Sequence, residues 1–188
     1  MRGIPKEAHA KDLNLWRWLT ITSTCQKVFT RCCVQVLHRL APESRVCSYG
    51  FRAGVACSHI QALFRILLAK AHAFKIPLVL ISADVKSAFA SITISELIVA
   101  LTELNIPALL QVALLAELEK LSAEATVADA PASRVFEFSK GGREGGVDTP
   151  SLWYYFLQWL LEPVVAQWEL EGIGFRLCKI LSNDCFIS

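Results

Sequence analysis

Three features of this 188-residue chain carry residue types able to do chemistry. Asp84 closes an apolar run, Gly141-Gly142-Arg143-Glu144-Gly145-Gly146 is a glycine-rich loop ahead of a helix start, and Asp184 lies in a Ser182-Asn183-Asp184 turn. Each has an ordinary reading: a strand-end aspartate is commonly a turn or cap residue, paired glycines punctuate loops, and Ser-Asn-Asp is a common turn tripeptide. The charge distribution adds a chemical direction. Residues 1–75 hold twelve Lys and Arg against three acids, and residues 76–188 hold seven against fourteen, so a segment of about +9 is followed by one of about −7 within a net charge of +2. Such a division suits a protein that grips a polyanion with one part and coordinates cations with another. Uneven solvated faces are the bland alternative.

In chain order, these features resemble the motif series of reverse transcriptases. Ile4-Pro5-Lys6, then Leu15-Trp16-Arg17 and Ile21-Thr22, is similar to the family's fingers segment, with Trp18 and Leu19 where Pro-Ile is expected. Tyr49-Gly50-Phe51-Arg52-Ala53-Gly54 resembles the "GFR.G" element of retrotransposon and group II intron type enzymes. The strongest match is Leu80-Ile81-Ser82-Ala83-Asp84-Val85-Lys86-Ser87-Ala88-Phe89-Ala90-Ser91-Ile92, which resembles the first palm motif, with Ala90 where an Asp is usual. Gly142-Arg143-Glu144-Gly145 followed by Thr149-Pro150 is similar to the second palm motif, with Glu144 in place of Gln. Leu181-Ser182-Asn183-Asp184 resembles the last, where Asn183 replaces the first of two aspartates.

The resemblance implies an α+β fold of fingers (about 1–75, basic and helical) and palm (about 76–188), incomplete, ending at the third palm motif hairpin and lacking a thumb. It implies RNA-templated DNA synthesis with deoxynucleoside triphosphates on an RNA template and DNA primer. Asp84 and Asp184 would be ligands of two Mg²⁺ or Mn²⁺ ions about 4 Å apart. Lys6 and Arg17 would contact phosphates, while Arg143, Glu144 and Gly145 would shape the nucleotide site. Phe89 would be the steric gate against a ribose 2′-hydroxyl; ordinary core packing is its other reading. Mg²⁺ favours hard anionic oxygen, so Asn183 lowers the metal affinity of the site, and a carboxylate at Glu144 repels a triphosphate where an amide would bond to it. The expectation is an impaired polymerase.

The elements that must position these residues are legible in part. Ser23 and Gln26 form a capping box ahead of an apolar stripe of Cys25, Val28, Phe29, Cys32, Cys33, Val36, Leu37 and Leu40, ended by Ala41-Pro42. A loop over Cys47 to Gly54 leads to a second amphipathic helix with Ile60, Leu63, Phe64, Leu67, Ala71 and Phe74 on one side. Leu78-Val79-Leu80-Ile81, after Pro77, reads as a strand buried on both faces. Helices are predicted over Ser95 to Leu104 and Pro107 to Leu121, then a hairpin of Glu124 to Asp129 with Ser133 to Phe138. Thr149-Pro150 is a good N-cap and first-turn pair for a helix from Ser151 towards Gln167, and the apolar runs Phe175 to Leu181 and Cys185 to Ile187 suggest a tight hairpin.

Composition narrows the remaining readings. With 54% hydrophobic residues, the chain can bury one sizeable core, and disorder is disfavoured. The most apolar stretch, Leu152 to Val165, is broken by Gln158, Glu162 and Pro163, so it does not suit a membrane span. Seven cysteines at 25, 32, 33, 47, 57, 178 and 185 show no CxxC pair. Structural zinc and a disulfide framework are disfavoured, and an intracellular location, nucleus or cytoplasm, is the expectation. Two alternatives to an active polymerase stay open: an inactive nucleic-acid-binding remnant of a mobile element, and a helix-rich interaction protein using Trp153, Tyr154, Tyr155, Phe156 and Trp159. Oligomeric state is undetermined by the sequence.

Overall fold

The computed structural model describes residues 1–6, 12, 16–43, 46, 48–51, 54–119, 122–127, 132–137, 140–177 and 185–187. Four helices build the core. They are α1 (Thr24–Leu40), α4 (Ile94–Glu103), α5 (Ala108–Glu119) and α6 (Thr149–Glu171). Between α1 and α4 lie α2 (Cys57–Phe74) and the single-turn α3 (Ala88–Ser91). Among the described residues the strands form three two-stranded antiparallel sheets: β1 (Arg2–Pro5) with β2 (Trp16–Leu19), β3 (Ser122–Ala123) with β4 (Phe136–Glu137), and β5 (Phe175–Leu177) with β6 (Cys185–Ile187).

Local chemistry explains most helix starts. The Ser23 hydroxyl accepts from Gln26 N–H at 3.2 Å, satisfying one of the orphan donors of α1, and Ala41 leaves helical geometry while its N–H still reaches Leu37 C=O at 2.8 Å. At α4 the box is reciprocal: Thr93 Oγ1 accepts from Glu96 N–H and Glu96 Oε2 accepts from Thr93 N–H. That bond holds the Glu96 carboxyl below its ordinary range. Pro150 occupies the first turn of α6, where its missing N–H costs nothing. The helix runs through Pro163 to Glu171, past the expected end near Gln167. Asp148, not Thr149, occupies its N-cap position, and the side chain of Asp148 is used elsewhere.

α4 packs on α5 and α6, and α1 packs on α5. Leu37 and Ala100 are wholly shielded, with Leu101, Leu114, Leu118, Leu152 and Tyr155 in the same cluster. The buried stripe of α1 is Thr30, Cys33, Val34 and Leu37, rotated from the predicted one. Val28, Phe29, Val36 and Leu40 are exposed, as are Cys25 and Cys32, which were expected in the core. The apolar residues of α1 form one broad side opposite Lys27, Arg31 and Gln35, and packing on α5 buries one edge of it, at Cys33 and Leu37 with Thr30 and Val34.

Two further expectations are corrected. α2 forms, and its predicted stripe is the better-covered side at Leu63, Phe64, Leu67 and Ala71, yet none of its residues is buried. Residues 76–85 adopt no strand, and Val79 and Ile81 are 83% and 85% exposed. A strand needs ladder partners, and each described sheet is a hairpin paired within itself. The hairpin before α6 exists with different strand bounds: Ser122 and Ala123 face Glu137 and Phe136, while Ala125 and Ser133 exchange hydrogen bonds. The β5–β6 pairing, Leu177 opposite Cys185, agrees with the predicted C-terminal hairpin. The predicted turn residues Ser182, Asn183 and Asp184 lie outside the described residues.

Candidate functional site around Phe89 and the glycine-rich loop

The site begins with Ser87, whose left-handed backbone (φ 53°) turns the chain after Asp84 into α3. This turn presents two carbonyls to the glycine-rich loop. Gly142 N–H donates to Phe89 C=O at 2.7 Å and Gly141 N–H donates to Ile92 C=O at 2.8 Å. Gly141 itself has φ 89°, and a Cβ there would stand 2.7 Å from Ala90 Cα, so only glycine permits this approach. The first two palm-like motifs, far apart in sequence, are therefore tied backbone to backbone.

The Phe89 ring lies between two other aromatic groups: Phe51 at 5.9 Å and Trp153 of α6 at 6.1 Å, the latter edge-on. Such tilted and edge-on pairs suit the ring quadrupoles. Trp153, Phe156 and Trp159 continue the aromatic row along α6. The loop is also tied to the N-terminal hairpin, because Thr20 N–H donates to Glu144 C=O at 2.7 Å. Gly145 follows with φ 91° and is exposed.

Arg143 has a different setting from a free phosphate-binding residue. Its Nη2 lies 3.2 Å from Asp148 Oδ2, with the two side chains 3% and 1% exposed. Thr149 Oγ1 donates to Arg143 C=O at 2.9 Å, closing the loop on the start of α6. The guanidinium thereby staples the loop to the helix it precedes. Asp148 was not singled out by sequence; the available signal was two acids, Glu144 and Asp148, between a lone loop arginine and Thr149-Pro150.

The other candidate residues sit around this assembly. Arg17, on β2, and Lys6, just after β1, are exposed. Asp84 is exposed and its carboxylate is hydrogen-bonded to no described residue, which leaves hard anionic oxygens open to a divalent cation. Among the described residues no group of three or more His, Cys, Asp or Glu is placed to hold a metal ion, and Asp184 lies outside them. No described helix is long and apolar enough to cross a membrane.

The comparison with family models decides the relationship: the family described as "Reverse transcriptase (RNA-dependent DNA polymerase)" matches residues 4–182. The chain belongs to the reverse transcriptase family. That match runs from the β1 strand past the end of β5, so it takes in the Phe89 assembly, the glycine-rich loop and α6. A comparison with curated proteins found no match. Membership in the reverse transcriptase family supports RNA-directed DNA synthesis at the level of the family, with template, primer and deoxynucleoside triphosphates as the general ligands and divalent cations as the general cofactors. The mixed helix and small-sheet architecture fits an α+β class.

Proposed function

We propose that this chain is a reverse transcriptase domain of the non-LTR retrotransposon or group II intron type, with fingers and palm elements that bind a primer and template and extend the primer slowly. The observation that carries the reading is the pair of hydrogen bonds from Gly141 and Gly142 to Ile92 and Phe89, which bring two nucleotide-site motifs onto one another. Phe89, packed on Phe51 and Trp153, would face an incoming sugar with a rigid apolar edge, excluding a 2′-hydroxyl. Arg143 would act by positioning, since its bond to Asp148 fixes the loop whose Glu144 and Gly145 would border the nucleotide.

Asp84 and Asp184 would hold the divalent cations. When bound, such ions neutralise the transferring phosphoryl group and align the attacking 3′-hydroxyl. Asn183 contributes a neutral amide beside Asp184, so the donor set carries less charge than two adjacent aspartates would supply. Lys6 and Arg17 would contact the template–primer backbone from the basic half of the chain.

Primer extension on an RNA template, with Mg²⁺ or Mn²⁺, tests the reading. Slow extension that rises at least about tenfold in Asn183→Asp and disappears in Asp84→Asn is expected. No extension by either protein, combined with salt-sensitive template–primer binding that weakens when Lys6 and Arg17 become Ala, would favour the binding-only reading. Absence of both would overturn the proposal.

A further inference from the structure

Charge is segregated along this chain more finely than by halves. Between Glu43 and Asp84 there is no acid, and the stretch carries Arg45, Arg52, Arg65, Lys70 and Lys75. Between Lys86 and Lys120 there is no Lys, Arg or His, and the stretch carries Glu96, Glu103, Glu117 and Glu119. The first contains α2 and the second contains α4 and α5, so helices of opposite charge stand on one chain.

α2 and α4 each display that charge to solvent in a stripe of the same spacing. Residues three, four and seven apart share one face of a helix. On α2 this face holds Arg65, Leu68 and His72, continued by the C-cap Lys75; all are exposed, and no residue of α2 is buried. On α4 it holds Glu96, Val99 and Glu103, all exposed, while Leu97, Ala100 and Leu101 are buried where α4 packs on α5 and α6. The aliphatic side chain at the middle of each stripe, Leu68 and Val99, is 46% exposed. Among the described residues the side chains of Arg65 and Lys75 form no ion pair. Glu103 Oε2 accepts from Trp159 Nε1 at 2.6 Å, which orients the carboxylate and leaves it further acceptor capacity. Glu96 is bonded to Thr93 and feels the charge of Lys140, so Glu103 is the less compensated of the two acids.

Both stripes face solvent in the same chain, so neither covers the other there. We propose that α2 of one chain docks antiparallel on α4 of a second copy, with Leu68 on Val99 and Arg65 paired with Glu103. The antiparallel arrangement sets the helix dipoles in opposition and brings His72 beside Glu96. At 1.5 Å per residue, the charged positions lie about 4.5 and 6 Å either side of the central contact on each helix, and long side chains span the mismatch of about 1.5 Å. A two-fold dimer makes the contact twice, because each copy carries both stripes. Two short helix pairs reach only the lower end of stable interfaces, so a dimer that dissociates at micromolar concentration is expected. None of the residues assigned to the reverse transcriptase site belongs to either stripe, so this inference is independent of that reading.

Sedimentation of the full chain from about 1 to about 100 μM tests this. The mass should move from monomer to dimer over that range, and the dissociation constant should rise at least about threefold as salt is raised from about 50 to about 500 mM. Arg65→Glu and Glu103→Arg should each weaken dimerisation about tenfold, with the fold checked by circular dichroism. The two reversals combined in one chain, or the two single variants mixed in equal amounts, should return the dissociation constant to within about threefold of the parent, since the pair is restored with its charges exchanged. If Glu103→Arg loses helicity, Leu68→Glu, at a position the fold does not bury, carries the test and should likewise weaken dimerisation about tenfold. A chain that stays monomeric throughout, or reversals without effect, or a combined variant no tighter than the single ones, would overturn the proposal.

Discussion

The loop at 141–148 and the run at 78–84 are matched by the same family and stand in opposite physical settings. In the loop, backbone donors are paired with Phe89 and Ile92 carbonyls, a carbonyl is paired with Thr20, and Arg143 is sealed against Asp148. The run that leads to Asp84 is largely exposed and outside every described ladder. One region is therefore built by contacts that the described chain supplies to itself, and the other presents a candidate metal ligand from backbone whose order must come from further pairing. Fixed geometry at a catalytic carboxylate requires such support. The loop has it in this structure, and the run to Asp84 is where reactivity would be gained or lost.

The sharpest way to break the comparison is to strip the loop of its buried cation. Arg143→Ala leaves the Asp148 carboxylate uncompensated in a site 1% exposed, and a loss of about 3–5 kcal/mol of unfolding free energy in urea titration is expected. Replacing both residues, Arg143→Met with Asp148→Leu, should recover most of that loss, because removing a buried pair together avoids the unpaired charge. If the double variant is as unstable as the single one, the pair is specifying the loop conformation rather than balancing charge.

Core and run can be set against each other directly. Leu101→Ala, in the shielded cluster, should cost about 2–5 kcal/mol, whereas Ile81→Ala, 85% exposed, should stay within about 0.5 kcal/mol. A larger effect at Ile81 would mean that the run is paired in solution. Next in size, Gly141→Ala forces a Cβ to within 2.7 Å of Ala90 Cα at a positive φ, and a loss of about 2 kcal/mol is expected. It should also lower primer extension beyond what the stability loss explains, because it separates Phe89 from the loop.

What was legible in the sequence follows how locally each feature is determined. The Ser23 cap of α1 and the Pro150 start of α6 involve neighbours within three residues, so residue types alone revealed them, whereas the Thr93–Glu96 box of α4 was not picked out. The buried face of α1 depends on α5, and its apolar side is broader than the strip that α5 covers. The β1–β2 hairpin escaped notice because its strands are four residues each, too short for the alternation of Trp16, Arg17 and Trp18 to stand out. Run 78–81 had the composition of a central strand, but ladder partners are non-local. At the site, motif order singled out Phe89 and Arg143, and the structure brings the loop that carries Arg143 onto the Phe89 backbone through Gly142. Motif order could not reveal that Arg143 is committed to Asp148, since a loop arginine next to a phosphate and one next to a buried carboxylate look alike in sequence.

The smallest expected effect separates the α1–α6 contact from the loop. His38 Nδ1 lies 2.8 Å from Tyr155 Oη, and His38 Nε2 lies 3.3 Å from Ser151 Oγ. Burial lowers the His38 pKa below 6.5 and, with a contribution from Tyr154, pushes the Tyr155 hydroxyl up to about 12. Both shifts favour the neutral form in the folded chain. As pH falls through 6.5 the unfolded chain takes up a proton on His38 before the folded one does, so stability declines from there until the lowered folded pKa is passed, then levels. Between pH 10 and about 12 the unfolded chain instead loses the Tyr155 proton first, and stability declines again. Urea midpoints across pH should show both shoulders in the parent chain. His38→Gln, which keeps a donor and an acceptor, should remove the acidic shoulder and leave the alkaline one; loss of both would mean that His38 orders the whole α1–α6 contact rather than titrating within it.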